Sequence, residues 1–149
     1  MHDFVLQDFT TIRGAYNVSV TQSESSWLDL EEYEDLIVWL DIREITLPTG
    51  TSASVTLNLQ TAPIKDEYLF VNMVTGYTNT TGAPPTSAQI FKVILAQNPT
   101  VPLGRFVRWQ IVPTVNGGSA VWDMTFRILC CANQVGPGRR VRPSHSGGR

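Results

Sequence analysis

Two runs near the end of the chain alternate with a period of two. In Arg105–Val112, the residues Val107, Trp109 and Ile111 alternate with Phe106, Arg108 and Gln110. In Ala120–Leu129, the residues Trp122, Met124, Phe126 and Ile128 alternate with Asp123, Thr125 and Arg127. Successive side chains of a strand point to opposite faces, so each run predicts a strand with one apolar and one polar side. An apolar face of that kind must be laid against a second layer. Between the runs stands Val115-Asn116-Gly117-Gly118-Ser119. Asn-Gly accepts the positive φ that tight hairpin turns require, so the two strands are expected to pair as a hairpin forming the inner wall of a β-sandwich.

The rest of the chain extends this pattern. Phe4, Leu6 and Phe9 suggest an entry strand, Gly14 a break, and Ala15–Thr21 a second strand. Leu36–Ile45 starts apolar on both faces, as in a strand covered twice, and then alternates. A helix over 27–45 competes, because Leu and Glu are good helix formers, but the run of β-branched residues argues for a strand. Ser54–Thr61 is the cleanest alternation, with Val55, Leu57 and Leu59 inward and Thr56, Asn58 and Gln60 outward. Tyr68–Val74 fits a short strand or one helical turn, 75–87 a long exposed loop, and Gln89–Ala96 a further strand. About eight strands with turn signals between them predict an all-β fold. It would be an antiparallel two-sheet β-sandwich over residues 1–131, able to close as a jelly roll, followed by an extended C-terminal arm over 132–149.

Charge divides the chain in the same place. Of 11 basic and 13 acidic residues, four Arg (139, 140, 142 and 149) and no acid lie beyond residue 131, so residues 1–131 hold 7 basic and 13 acidic side chains, a net of −6. The arm is basic, rich in Gly and Pro, and almost without apolar residues, so it needs a partner to order it. Arg139, Arg140, Arg142 and Arg149 are the expected partner-binding residues. Nucleic acid is not expected, since four Arg make a thin electrostatic footprint. No apolar run approaches the length of a membrane helix, and the start shows no secretory leader. The adjacent Cys130 and Cys131 point to opposite faces of a strand and are expected as free thiols, which fits a reducing compartment.

Catalytic constellations do not emerge. His2 and His145 both stand in terminal segments without rigid support for a triad. Acids crowd between Glu24 and Glu44, and Glu31, Glu32, Glu34 and Asp35 read as an acidic docking face for basic arms. A Ca²⁺ site from Asp29, Glu31 and Asp35 is conceivable from the ligand type, but the spacing matches no known loop, so no metal and no cofactor are expected. Four Trp invite a sugar-binding reading. Trp39, Trp109 and Trp122 suit a core better, which leaves Trp27, Tyr33 and Tyr77, with the 75–87 loop, as the alternative glycan site.

Several stretches together carry a resemblance. They are Trp27-Leu28-Asp29-Leu30 leading into Leu36–Ile42, then Val55–Pro63, Phe106–Trp109 and Trp122–Ile128. Across roughly residues 27–130 this pattern resembles small β-sandwich structural proteins of tailed bacteriophages, which decorate or cement capsids or sit in tails. The resemblance implies a non-enzymatic virion protein, assembled in the host cytoplasm. Its implied partners are copies of itself and other virion proteins such as the major capsid protein.

Overall fold

The apolar stripes become the facing walls of two antiparallel sheets in the computed structural model. The structure describes residues 1–47, 52–86, 89–94, 101, 103–115 and 121–136, with 75, 76 and 89–94 in backbone only. Among the described residues nine strands follow in order: β1 His2–Ala15, β2 Val20–Thr21, β3 Leu28–Asp29, β4 Asp35–Thr46, β5 Ser54–Ala62, β6 Val71–Asn79, β7 Gln89–Ile94, β8 Phe106–Thr114 and β9 Val121–Ala132. Short 3₁₀ turns at Glu24–Ser26 and Glu67–Leu69 separate some of them.

One sheet has the order β1-β9-β4-β7, and the other β2-β8-β5-β6, with β3 also paired to β8. β2 and β3 occupy successive stretches of the same edge of β8 and together act as one strand. The chain therefore crosses between the sheets at every connection except β5–β6. Eight strand positions in two antiparallel sheets with these crossings form a jelly roll.

The inner faces interlock. Trp122, Phe126, Leu36, Leu40, Leu57, Leu59 and Ile111 are each under 2% exposed. Trp109 of β8 and Phe126 of β9 meet edge-to-face with centroids 5.3 Å apart, which joins the sheets through their largest side chains. Gln22, 4% exposed, adds a polar staple. Its Nε2 donates to Leu6 O of one sheet (2.8 Å) and to Ser26 O (2.9 Å), and its Oε1 accepts from Trp109 N of the other sheet (3.1 Å). A buried amide with its donors and acceptor all engaged costs little and fixes the relative position of the layers.

Three expectations are corrected. β8 and β9 do not pair as a hairpin, since β8 lies between β2/β3 and β5 while β9 lies between β1 and β4. Each is apolar on one side only, and the stripes satisfy each other face to face across the sandwich gap of roughly 10 Å rather than side by side. The turn signal at 116–119 lies outside the described residues. Second, Gly14 does not break the first strand, because β1 runs through it to Ala15. A Cβ there would stand 3.1 Å from the Trp122 ring, so Gly14 is the place where the indole passes over the backbone. Third, residues 75–79 belong to β6, not to a loop: Thr78 and Tyr77 sit opposite Thr56 and Leu57 of β5, and the two Thr hydroxyls are 2.9 Å apart.

Gly104 offers a direct stability test. A Cβ at this position would come within 2.7 Å of Ala62 O, a backbone atom of β5. Where space allows, Gly→Ala stabilises through the unfolded chain by about 0.4–1 kcal/mol. Here G104A is expected to destabilise instead, by about 1–3 kcal/mol through overpacking, as read from urea denaturation.

Candidate assembly surfaces

The outward face of the β1-β9-β4-β7 sheet carries a band that the alternation pattern alone does not reveal. Three neighbouring strands place Phe9, Arg127 and Asp41 across it. Asp41 and Arg127 are directly opposite on β4 and β9, and Arg127 Nε donates to Asp41 Oδ2 at 3.0 Å. Arg43, two residues along β4, donates to the same carboxylate, with Nη2 at 3.0 Å from Oδ2 and Nε at 2.9 Å from Oδ1. Both guanidiniums lie over the Phe9 ring, 4.6 Å for Arg127 and 5.7 Å for Arg43. Pro84, Pro85 and Thr86 complete a cleft of about 460 Å³ beside them. Those prolines follow a turn organised by Asn79, whose Oδ1 accepts from Thr81 N and Gly82 N and whose Nδ2 donates to Ala83 O at 2.7 Å.

Further along the same face the surface turns apolar. Trp39 opposes Leu129, and with Met1, Phe4 and Val5 they line a second cleft of about 540 Å³. Met1 and Val5 are 74% and 62% exposed. Trp39 was expected in the core; it is half-buried on this outer side, because Leu36, Val38 and Leu40 take the inward positions of β4. Cys130 and Cys131 border the cleft and are both buried free thiols, as expected. Burial pushes the Cys130 thiol up to about 12, so it stays protonated at neutral pH.

The predicted acidic face stands at the start of β4, beside the last described residues of the chain. Tyr33 bridges to Gln134, Glu34 N donates to Asn133 O (3.0 Å), and Val135 N donates to Glu32 O (2.8 Å). Asp35 accepts from both Asn133 N and Asn133 Nδ2 at 2.6 Å. Residues 133–135 therefore remain attached to the body, past the expected 131/132 boundary. Glu31 is 3.0 Å from the Arg105 guanidinium, which also grips Asp29 at 2.8 Å. That bond holds the Asp29 carboxyl below the usual carboxylate range. Glu31 and Glu32 are exposed, whereas Asp35 is occupied within the fold. Arg139, Arg140, Arg142 and Arg149 lie outside the described residues.

The aromatic trio is not drawn into one platform. Trp27 is flanked by Phe70 (4.6 Å), Arg108 (5.2 Å) and Lys65 (6.0 Å), and its Nε1 donates to Gln22 O. Tyr33 packs edge-on against Phe4 and His2. Tyr77 leans on the core and accepts from Asn79 Nδ2. Among the described residues the most exposed large aromatic is Tyr68, at 92%. On the outward side of the other sheet the expected solvent-facing residues Asn58 and Gln60 are buried, as is Arg108. Arg108 Nε donates to Gln60 Oε1 (2.8 Å), its guanidinium lies 4.0 Å over Phe70, and Glu67 is 3.3 Å away. Burial lowers the Arg108 pKa, opposed by Glu67.

No family model matches the chain, and no curated protein matches it in sequence. Its fold is similar to proteins of solved virus particles. A mutant VP2 protein of infectious bursal disease virus in derived T=1 particles aligns with a TM-score of 0.54 at 10% identity, over 87% of this chain and 30% of that one. A second structure of T=1 particles derived from that virus gives 0.54 at 12% identity with the same coverage. The Gx strain of the virus gives 0.50 at 9% identity, over 92% of this chain and 32% of that one. The chain thus spans less than a third of the length of these proteins. The likeness is one of fold and carries the jelly roll alone.

Asp35 is the testable anchor of the exit segment. Asp35→Ala removes two short bonds to a carboxylate, each of a class worth about 1.5–3 kcal/mol. Amide hydrogen exchange at Asn133 and Val135 is expected to accelerate at least tenfold while amides of β8 and β9 stay protected.

Proposed function

We propose that this chain is a non-enzymatic structural subunit of a virus particle, and that it decorates or cements the capsid of a tailed phage or forms part of its tail. The observation that carries the particle reading is the jelly-roll fold, which is similar to that of virus-particle proteins over 87% of this chain. The phage assignment is supported by the sequence resemblance over residues 27–130. The surface supports an assembly role in a second way. One sheet face combines exposed apolar side chains with a charged rim, the anatomy of a protein–protein interface. Partners in this reading are other copies of the chain and further virion proteins such as the major capsid protein.

The C-terminal arm has a mechanical task in this account. Residues 133 and 134 bond to Asp35 and Glu32, and in this reading Arg139, Arg140, Arg142 and Arg149 engage acidic surface on a neighbour. Single exposed ion pairs contribute only about 0–1 kcal/mol, so the arm acts through many copies at once.

Light scattering on the full chain and on a chain ending at Gly136 tests the proposal. The full chain is expected as an oligomer, and the shortened one at lower mass with an unchanged circular dichroism spectrum. Monomers in both cases, also in the presence of purified capsids, would refute it.

A further inference from the structure

Arg43 and Arg127 offer more donors than the described residues use. They share one carboxylate, that of Asp41, and so leave a surplus of one positive charge among the described residues of the cleft. Among the described residues no acceptor meets Nη1 or Nη2 of Arg127, whose side chain is 34% exposed, or Nη1 of Arg43, 61% exposed. The guanidinium planes are held over the Phe9 ring, so their orientation is set before any ligand arrives. Pro84 and Pro85 form an apolar wall on the cleft. A planar fork of donors beside an apolar wall is built for a carboxylate, which it can take through two parallel bonds.

We propose that this cleft is a carboxylate-recognition site, and that its occupant is the acidic segment around Glu31 and Glu32 of a second copy of this chain. The reading rests on the chain being a self-assembling subunit. Its argument is positional. The exposed Glu31 and Glu32 precede the start of β4 at Asp35, and Arg43 stands eight residues further along that strand. At about 3.3 Å per residue, Asp35 and Arg43 are roughly 26 Å apart on one rigid strand. The two charge sets cannot meet within a copy. They meet when one copy's β4 start abuts the next copy's Phe9–Arg127 band, a head-to-tail contact that closes rings or propagates along a lattice.

The probe is a synthetic peptide of residues 28–36, titrated into the full chain by fluorescence anisotropy. Saturable binding that weakens with salt is expected. R43Q and R127Q should weaken it at least fivefold, and a peptide with Glu31 and Glu32 changed to Gln should weaken it similarly. D41N removes the internal competitor, raises the cleft from one surplus charge to two, and should tighten binding severalfold, an effect that lost structural support would not produce. No peptide binding, binding indifferent to R43Q, or weaker binding in a folded D41N would overturn the site. The peptide assay does not require assembly, so it fails separately from the subunit reading. For the occupant, an R43E chain should lose self-association and regain it when mixed with an E31K/E32K chain. Absence of that rescue in a chain that otherwise assembles would overturn the second-copy assignment.

Discussion

An apolar stripe on one side of a strand is stable only when another layer covers it, and this constraint organises the whole molecule. Trp109 and Phe126 show it most directly, meeting across the gap from sheets that share no strand pairing among the described residues. Burying side chains of that size contributes several kcal/mol each, enough to decide which strands face one another. Local turn chemistry favours pairing sequence neighbours, but a hairpin of β8 and β9 would put both stripes on one face, where they could not cover each other. Crossing to the opposite sheet covers both. The jelly roll is this solution repeated along the chain, and Gln22 then locks the two layers in position.

With the inner faces committed to the core, recognition is left to the outer ones, and these differ. On the β2-β8-β5-β6 sheet, Arg108, Gln60 and Glu67 satisfy one another beneath Phe70 and Trp27. That network braces the sheet, with Arg108 buried and Glu67 at its exposed end. The β1-β9-β4-β7 sheet instead shows Trp39, Leu129 and Val5 beside a pair of arginines that one aspartate does not neutralise. Apolar area and uncommitted charge on one rigid surface are what an assembling subunit needs, because preorganised side chains lose little freedom on contact.

Much of the fold was legible in the sequence because alternation reports which side of a strand is buried. Val107, Trp109, Ile111, Trp122, Met124, Phe126 and Ile128 all face the core as the pattern implied. The free thiols of the adjacent Cys130 and Cys131 were legible too. Pairing was less so, because alternation does not say which sheet a strand joins. Gly14 looked like a break since its role depends on Trp122, more than a hundred residues away. Tyr77 looked like loop because its flanking residues are Thr, Gly and Asn, although it pairs with Leu57 and packs against the core. Gln60 looked solvated because its covering partners, Asn72 and Gln110, come from β6 and β8. The Phe9–Arg127–Asp41–Arg43 band was not legible at all, for it exists only once β1, β9 and β4 lie side by side.

Oxidative footprinting of the chain in its assembled and dissociated states bears most directly on the claim that the β1-β9-β4-β7 face is the assembly surface. Hydroxyl radicals label exposed Met and aromatic side chains, and the two sheets carry distinct reporters. The account predicts that assembly protects Met1, Phe9 and Trp39 while Tyr68 and Trp27 react as before. Protection of Tyr68 and Trp27, with Phe9 and Trp39 unchanged, would contradict it and move the contact to the opposite sheet.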